Sequence, residues 1–314
     1  MLLRPCLLAC RAAITYALFP VWFTAALLTA LRLHASGTSV EPIVLGVGVS
    51  TAVVVAAAER IHPAHAGWNR SRGDIGTDSI HVVVSQAIVP ATVDAAIAAA
   101  VLHLSLSASA WVGVPVWPHS WPLALQLTLA LICSQFFEYW WHRMSHTTPL
   151  LWRLHATHHS AQRLYFLNAA RFHPFDTAVS STLSLGTLMF LGAGDVVMLL
   201  VVCWITVHGL FQHCNIHLRL GPLNWIFSMA ELHRWHHSLV LEEADRNYGN
   251  NILLWDIVFG TVYWPRDRDA LAEIGIGNMP HFPQTWWGQM RAPFRWHALE
   301  AEGPEGPGFV RPVG

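Results

Sequence analysis

Residues 121–160 read WPLALQLTLALICSQFFEYWWHRMSHTTPLLWRLHATHHS. Positions 121–141 are an apolar run long enough to cross a bilayer, for which about 20 residues suffice. The run leads directly into His142-x3-His146, and His155-x2-His158-His159 follows closely. On a helix, positions i, i+3 and i+4 lie on one face, so each group aims its imidazoles in one direction. A membrane helix that ends in aimed imidazoles implies an all-helical membrane protein whose chemistry sits where the bilayer meets water.

Three more apolar runs precede this stretch, at 7–33, 41–58 and 80–104, the last interrupted by Pro90 and Asp94. Pro is tolerated in membrane helices where neighbours re-satisfy the freed backbone groups. All 18 basic residues are Arg, and their placement orients the chain. The positive-inside rule puts Arg4, Arg11 and the 59–79 stretch (Arg60, Arg70, Arg72) in the cytoplasm. Residues 105–120 carry no charge but hold Trp111 and Trp117, the pattern of an outer aromatic belt. Four spans then return residue 142 to the cytoplasm, where Arg143, Arg153, Arg163 and Arg171 follow.

A further run, 178–207, is long for one span and contains the turn signal Leu191-Gly192-Ala193-Gly194-Asp195. It reads as a helical hairpin that dips into the membrane and returns to the same face, which keeps 208–297 beside the first His groups. The expected fold class is an all-α integral membrane protein of about four transmembrane helices plus a short membrane helical hairpin, with a cytoplasmic His-rich catalytic cap, multi-pass in the cell membrane. Residues 1–120 read as membrane anchor helices, 121–297 as the catalytic domain and 298–314, rich in Gly and Pro, as a disordered tail.

Composition agrees. Of 314 residues, 54% are apolar and only 12% charged, about half the share usual in soluble domains. That excludes an intrinsically disordered chain. With 18 Arg against 19 acids the net charge is −1, without the basic excess of a nucleic-acid binder. Five Cys without a CxxC do not make a disulfide framework. No A-x-A cleavage site follows Leu31, so the first run reads as a span rather than a signal peptide.

Two more His groups lie further on, His213-x3-His217 and His233-x2-His236-His237. Together His142, His146, His155, His158, His159, His213, His217, His233, His236 and His237 exceed what one metal needs and suit a pair. His208 joins the third group only if its helix carries a π-bulge. Zinc sites of the structural kind take four ligands, often with Cys, and only Cys214 lies within these groups. A nearly sulfur-free set touching a membrane is better suited to iron that binds O2. The other histidines, among them His34, His62, His65, His81, His103, His119, His281 and His297, read as surface or satisfied core residues. Glu138 precedes His142 by one helical turn, placed to orient a ligand imidazole through its other ring nitrogen; a snorkelling interface acid is the bland alternative.

The stretches EYWWHRMSHTTPLLWRLHATHHS (138–160), RFHP (171–174), HCN (213–215), LGPLNWIFSMAELHRWHHS (220–238) and NYGNNILLWDIVFGT (247–261) resemble the fatty acid hydroxylase/sterol desaturase superfamily. The resemblance covers about 134–265. It implies a membrane non-haem di-iron oxygenase that uses O2 to hydroxylate or desaturate a lipid, sterol or fatty acyl. It implies electrons from an external donor, cytochrome b5-like or a ferredoxin/reductase pair. It places the ligands on His142, His146, His155, His158, His159, His213, His233, His236 and His237; His217 falls where many members have another residue. Asn215 matches the H-x-N form of the third group, as a weak ligand or a hydrogen-bond partner, and Asp256 is implied as a partner for a ligand His. The residues themselves agree on one point: no haem, flavin or nucleotide fingerprint is present, so electrons come from another protein. Two other classes compete, a His-rich metal transporter or sensor and a membrane protein with a Zn-stabilised cap. A transporter calls for polar ligands inside the spans, whereas these groups lie outside the apolar runs.

Overall fold

The computed structural model describes residues 3–93, 96 and 116–302, and all regular elements among them are helical. Of the expected span over 80–104, positions 94 (Asp94), 95 and 97–104 lie outside the described residues, as do 105–115 of the loop, with Trp111, and positions 303–314 of the tail.

The apolar run 7–33 is not one span. It forms two helices, α1 (Leu3–Tyr16) and α2 (Leu18–Ala35). The break has a local cause. The Arg219 backbone N–H donates to the Thr15 carbonyl at 2.9 Å, taking the acceptor that a continuous helix would offer four residues on. The Thr15 hydroxyl also meets His62 Nε2 at 3.0 Å, so α1 stays beside the histidine-bearing cap. α2 runs away from the cap and α3 (Val40–Ile61) returns to it. The tight turn between them uses Gly37 at φ +89°.

α4 (Ile75–Val83) runs into a π-turn at Val84–Ile88. α5 (Leu123–Thr147) carries the quoted run to the cap, and α6 (Pro149–His159) follows after Thr148. Then come α7 (Pro174–Leu191) and α8 (Asp195–Gln212), the expected hairpin, with Gly192 as a left-handed C-cap at φ +78°. Asp176 at its start and His213 at its end both reach the histidine groups, so the hairpin returns to the face it left. It is not short, however. Each arm has 18 residues, about 27 Å of helix.

Three described helices are long and apolar enough to cross a membrane: α2, α3 and α8, with mean hydropathies of 1.4, 2.0 and 1.8. α5 is longer, at 25 residues, but buries Gln126, Gln135 and Glu138 among its apolar residues. α8 lies at the centre of this part. Its Val207 and Phe211 pack with Phe19 and Phe23 of α2 and Val47 of α3. The Phe19 and Phe211 rings meet edge to face at 5.3 Å. α3 comes close to α8 at Gly48, where a Cβ would just touch Thr206 Cγ2 at 3.4 Å. In lipid such contacts hold helices by close packing, because the surroundings are equally apolar.

The cap is completed by α9 (Ala230–His236), α10 (Leu254–Phe259), α11 (Trp286–Arg291) and α12 (Trp296–Ala301). Trp152 of α6 packs with Met279, Phe282 and Trp296, which fastens the C-terminal segment under the histidine helices.

Candidate metal centre

Nine buried histidines form two groups. His142, His146, His155, His159 and His236 make the first; His158, His213, His233 and His237 make the second. Within each, one ring nitrogen per residue lies within 4.8 Å of the others. The two H-x2-HH motifs do not each aim all three imidazoles at one point. On α6 the i, i+4 pair His155 and His159 serves the first group while His158 serves the second. On α9 the pair His233 and His237 serves the second group while His236 serves the first. Each motif therefore spans both groups, which stand back to back, with the His159 and His237 rings stacked at 4.4 Å.

The outer nitrogens fix how these rings point. His142 Nδ1 donates to the Tyr248 carbonyl at 2.7 Å, His236 Nδ1 to the Arg246 carbonyl at 2.8 Å and His158 Nδ1 to the Arg171 carbonyl at 3.3 Å. A carbonyl only accepts, so each Nδ1 carries the proton and each Nε2 keeps its lone pair. Asp245 takes His146 Nδ1 at 3.0 Å and Asp176 takes His155 Nδ1 at 2.8 Å. Asn168 Oδ1 lies 3.3 Å from His213 Nδ1. Burial and then the neighbouring imidazoles push His158, His159 and His233 well below the usual histidine range. His213 is pushed to about 3, by burial and then by the Arg171 charge. The His158, His159, His213 and His233 imidazoles are thus neutral, the form that binds a metal.

These residues fit a resident metal pair. Nε2 of His155, His159 and His236 is buried with no hydrogen-bond partner among the described residues, a costly arrangement for an imidazole that has no ion to serve. In the second group Nε2 of His213 and His233 are 2.9 Å apart, and Nε2 of His233 and His237 3.0 Å. Neighbouring donors around one ion at about 2.1 Å from each nitrogen have such separations.

The other expected site residues stand elsewhere. His217 is outside both groups. α8 ends at Gln212, His213 is its C-cap, and no π-bulge occurs, so 213–217 is not a helical face. The chain beyond is held extended by a Pro63–Ile216 bridge and a 3.0 Å bond from His217 N to the His62 carbonyl. His208 is buried inside α8 against Phe19 and Phe227. Asn215 accepts from His65 N and donates to the His65 carbonyl and Asn69 Oδ1, tying the loop after α3 to the cap. Asp256 bonds no histidine. It accepts from the Tyr248 and Gly249 amides and from Thr261 Oγ1, and so positions the carbonyl that His142 uses. Glu138 is buried one turn from His142, but its partners are Ser180 Oγ and Asn250 Nδ2, each at 2.9 Å. His81, bonded to Ser85 and Gln289, is the satisfied core histidine expected.

Sequence reasoning missed Asp176, Asp245 and Asn168. The RFHP stretch held the signal for the first. His173 caps α7 by accepting from Phe175 N, Pro174 sets its first turn, and Asp176 lands where it accepts from both His155 and Trp141 Nε1. Arg171 of that stretch is pinned by Asp78 at 2.6 Å, which fixes the carbonyl used by His158.

A sequence model of the fatty acid hydroxylase family matches residues 127–261, which include all nine clustered histidines. The chain is similar to the ornithine lipid hydroxylase OlsE of Rhizobium tropici, at 38% identity over 73% of this chain and 69% of that protein. It is also similar to methylsterol monooxygenase 1 of Rattus norvegicus, at 30% identity over 48% of this chain and 50% of that protein. The Homo sapiens alkylglycerol monooxygenase matches at 29% identity over 42% of this chain and 29% of its own length. No solved structure matches the chain. With the two histidine groups in place and a relative aligned over most of both chains, the protein is an oxidoreductase that belongs to the fatty acid hydroxylase/sterol desaturase superfamily.

Proposed function

We propose that this chain is a di-iron, O2-dependent monooxygenase that hydroxylates a membrane lipid, with its active site on the cytoplasmic face of the cell membrane. The observation that carries the reading is the pair of back-to-back, buried imidazole groups. An iron pair held there supplies the oxidant that an unactivated C–H bond requires and that no side chain can provide. The protein's own residues do the rest. Asp176 and Asp245 hold His155 and His146 in one tautomer. The Tyr248, Arg246 and Arg171 carbonyls do the same for His142, His236 and His158 without adding charge. The Trp152 ring, 5.4 Å from that of His159, and the Phe172 ring, stacked on His158 at 4.1 Å, keep water from the flanks.

Hydroxylation rather than desaturation is favoured by the three similar proteins named above, which are hydroxylases and monooxygenases. Inserting one oxygen atom consumes O2, two electrons and two protons and releases water. The electrons call for a separate donor, a cytochrome b5-like protein or a ferredoxin with its reductase. The cytoplasmic orientation rests on the Arg bias of the cap. The test is reconstitution with Fe(II), O2, a chemical reductant and lipid extract, followed by mass spectrometry. A lipid gaining 16 Da is expected; a product lighter by 2 Da would replace hydroxylation by desaturation. No oxygen uptake with any lipid class, at full iron loading, would sink the reading.

A further inference from the structure

The C-terminal segment turns large apolar side chains outward. Phe294 is 78% exposed, more than any other large apolar side chain among the described residues. Trp287, at 67%, is the most exposed tryptophan described. Both stand in the run 274–299, which holds Arg291 and Arg295 and not one Asp or Glu. This run lies beyond the stretch matched to the family.

The other side of the segment is firmly placed. The Gln284 carbonyl accepts from Thr77 Oγ1 at 2.9 Å, and Gln289 Oε1 meets His81 Nε2 at 2.7 Å. The segment therefore advances alongside α4 in the same direction, toward the π-turn at Val84–Ile88. There Ser85 Oγ donates to the Phe172 carbonyl at 2.7 Å, two residues before α7 begins. α7, one arm of the hairpin, starts at this level, and Val83, Ile88 and Phe175 are exposed around it. The segment thus reaches the apolar surface that α4 and α7 carry onward, and then turns back. Ala292, Trp296 and Leu299 join Trp152 of α6 in one buried cluster. Gln289 is fully buried, and Trp287 lies two residues earlier on α11, about 200° around the helix, so it faces away. Phe294 stands between the buried Ala292 and Trp296 and also projects outward.

We propose that residues 286–295 are an in-plane membrane anchor, with Trp287 and Phe294 set into the headgroup layer and Arg291 and Arg295 against the phosphates of anionic phospholipids. Tryptophan rings settle at that depth, and Arg beside a bilayer is drawn to anionic lipid. The face continues the apolar surface of α4 and α7, which lipid already surrounds. A second copy of the chain fits it poorly, since a run without acids would set Arg against Arg. The anchor reaches the histidines through Trp152, which packs with Trp296 and whose ring lies 5.5 and 5.4 Å from those of His146 and His159. It therefore fixes the depth of α6, and with it the first histidine group, relative to the membrane surface. This goes beyond the lipid monooxygenase reading and does not require it.

The test uses the full chain in nanodiscs of phosphatidylcholine, with or without phosphatidylglycerol. The photocrosslinker benzoylphenylalanine is placed at position 287, 294 or 242. Glu242 is an exposed control, three residues from Asp245, which bonds His146 at the end of α5 away from its apolar run. After photolysis, peptide mass spectrometry should find phospholipid adducts at 287 and 294 and none at 242. Phosphatidylglycerol should increase the adducts, and Arg291→Gln combined with Arg295→Gln should remove that increase. Absence of lipid adducts at 287 and 294, or equal labelling at 242, overturns the proposal. Crosslinks from 287 or 294 to another protein chain in place of lipid overturn it too, and make this face a protein interface. Yields that ignore phosphatidylglycerol refute the part given to the two Arg. A second measurement needs no crosslinker: Trp287→Ser combined with Phe294→Ser, at wild-type metal content, should speed amide hydrogen exchange over 286–301 in nanodiscs. Unchanged exchange overturns the anchor. Neither readout needs turnover, so a chain that labels as expected but oxidises no lipid refutes the monooxygenase reading and leaves the anchor standing.

Discussion

The two imidazole groups share both H-x2-HH motifs yet are held by different parts of the chain. The first group takes its outer contacts from Asp176 and from the segment that holds Asp245, Arg246 and Tyr248. Two of these are carboxylates, and there are five imidazoles. The second group has four imidazoles, and the outer contacts found for it come from Asn168 and the Arg171 carbonyl, both neutral. Those two residues lie in one loop, which is fastened by ion pairs from Arg163 to Asp74 and from Arg171 to Asp78. The difference teaches that the first group is held by the catalytic segment itself, whereas the second depends on acids before residue 80, outside the stretch matched to the family. The N-terminal part thus does more than anchor the chain.

Removing a ligand should produce the largest effects and expose this asymmetry. His233→Ala leaves three imidazoles in the second group, and His146→Ala leaves four in the first. We expect both to abolish lipid oxidation. Metal analysis should show the second group emptied by His233→Ala and the first only weakened by His146→Ala. Equal metal loss in the two variants would erase the distinction between the groups.

Next in size is the support of the second group. Asp78 pairs with Arg171, and both are fully buried. Asp78→Ala leaves that guanidinium uncompensated, which costs about 3–5 kcal/mol. Denaturant titration should detect the loss, and iron should leave the second group first. A variant as stable as wild type would mean that water or Gln284, which also accepts from Arg171, replaces the pair.

Smaller again is the change in the first group's carboxylates. Asp176→Asn keeps the shape but removes the charge that faces His155. Metal affinity or activity should fall by roughly 10–100-fold. Competition with a chelator should show the first group weakened and the second unchanged. Glu138→Gln should lower activity more than metal content, since Glu138 touches no ligand. If it lowers both equally, Glu138 is part of the metal support.

Much of the site was legible because local spacing carries it. The two H-x2-HH motifs and His142-x3-His146 mark imidazole groups that could hold metal from residue types and helix geometry alone. The division of each motif between two groups was not legible, because it depends on how α6 and α9 face each other. His217 was misplaced because the helix stops at Gln212, where loop contacts with Pro63 and His62 take over the backbone. Asp245 lies 99 residues from His146 and Asp74 lies 89 from Arg163, separations at which no sequence pattern signals contact. The first apolar run was read as one helix for the same reason: the donor that interrupts it is Arg219, two hundred positions away.

The smallest expected effect concerns acid stability of the loop that serves the second group. Burial works to raise the Asp74 carboxyl, but the Arg163 guanidinium, at 2.6 and 2.8 Å, outweighs it and holds the carboxyl below its ordinary range. A carboxyl whose folded value is depressed stabilises the fold above its unfolded value of about 3.9, and the contribution is lost as pH falls through the lower folded value. Asp74→Asn should therefore lower the melting temperature near neutral pH, and the gap to wild type should narrow as the solution is made acid. The Arg163 carbonyl also accepts from Asn168 Nδ2, whose Oδ1 faces His213, so the same acid range should loosen the second group's outer contact. Melting curves of metal-loaded wild type and variant, recorded from about pH 6 to about pH 2, make the measurement. A gap that stays constant across that range would detach the Asp74–Arg163 pair from the fold's acid response and leave Asp78 as the sole ionic support of the second group.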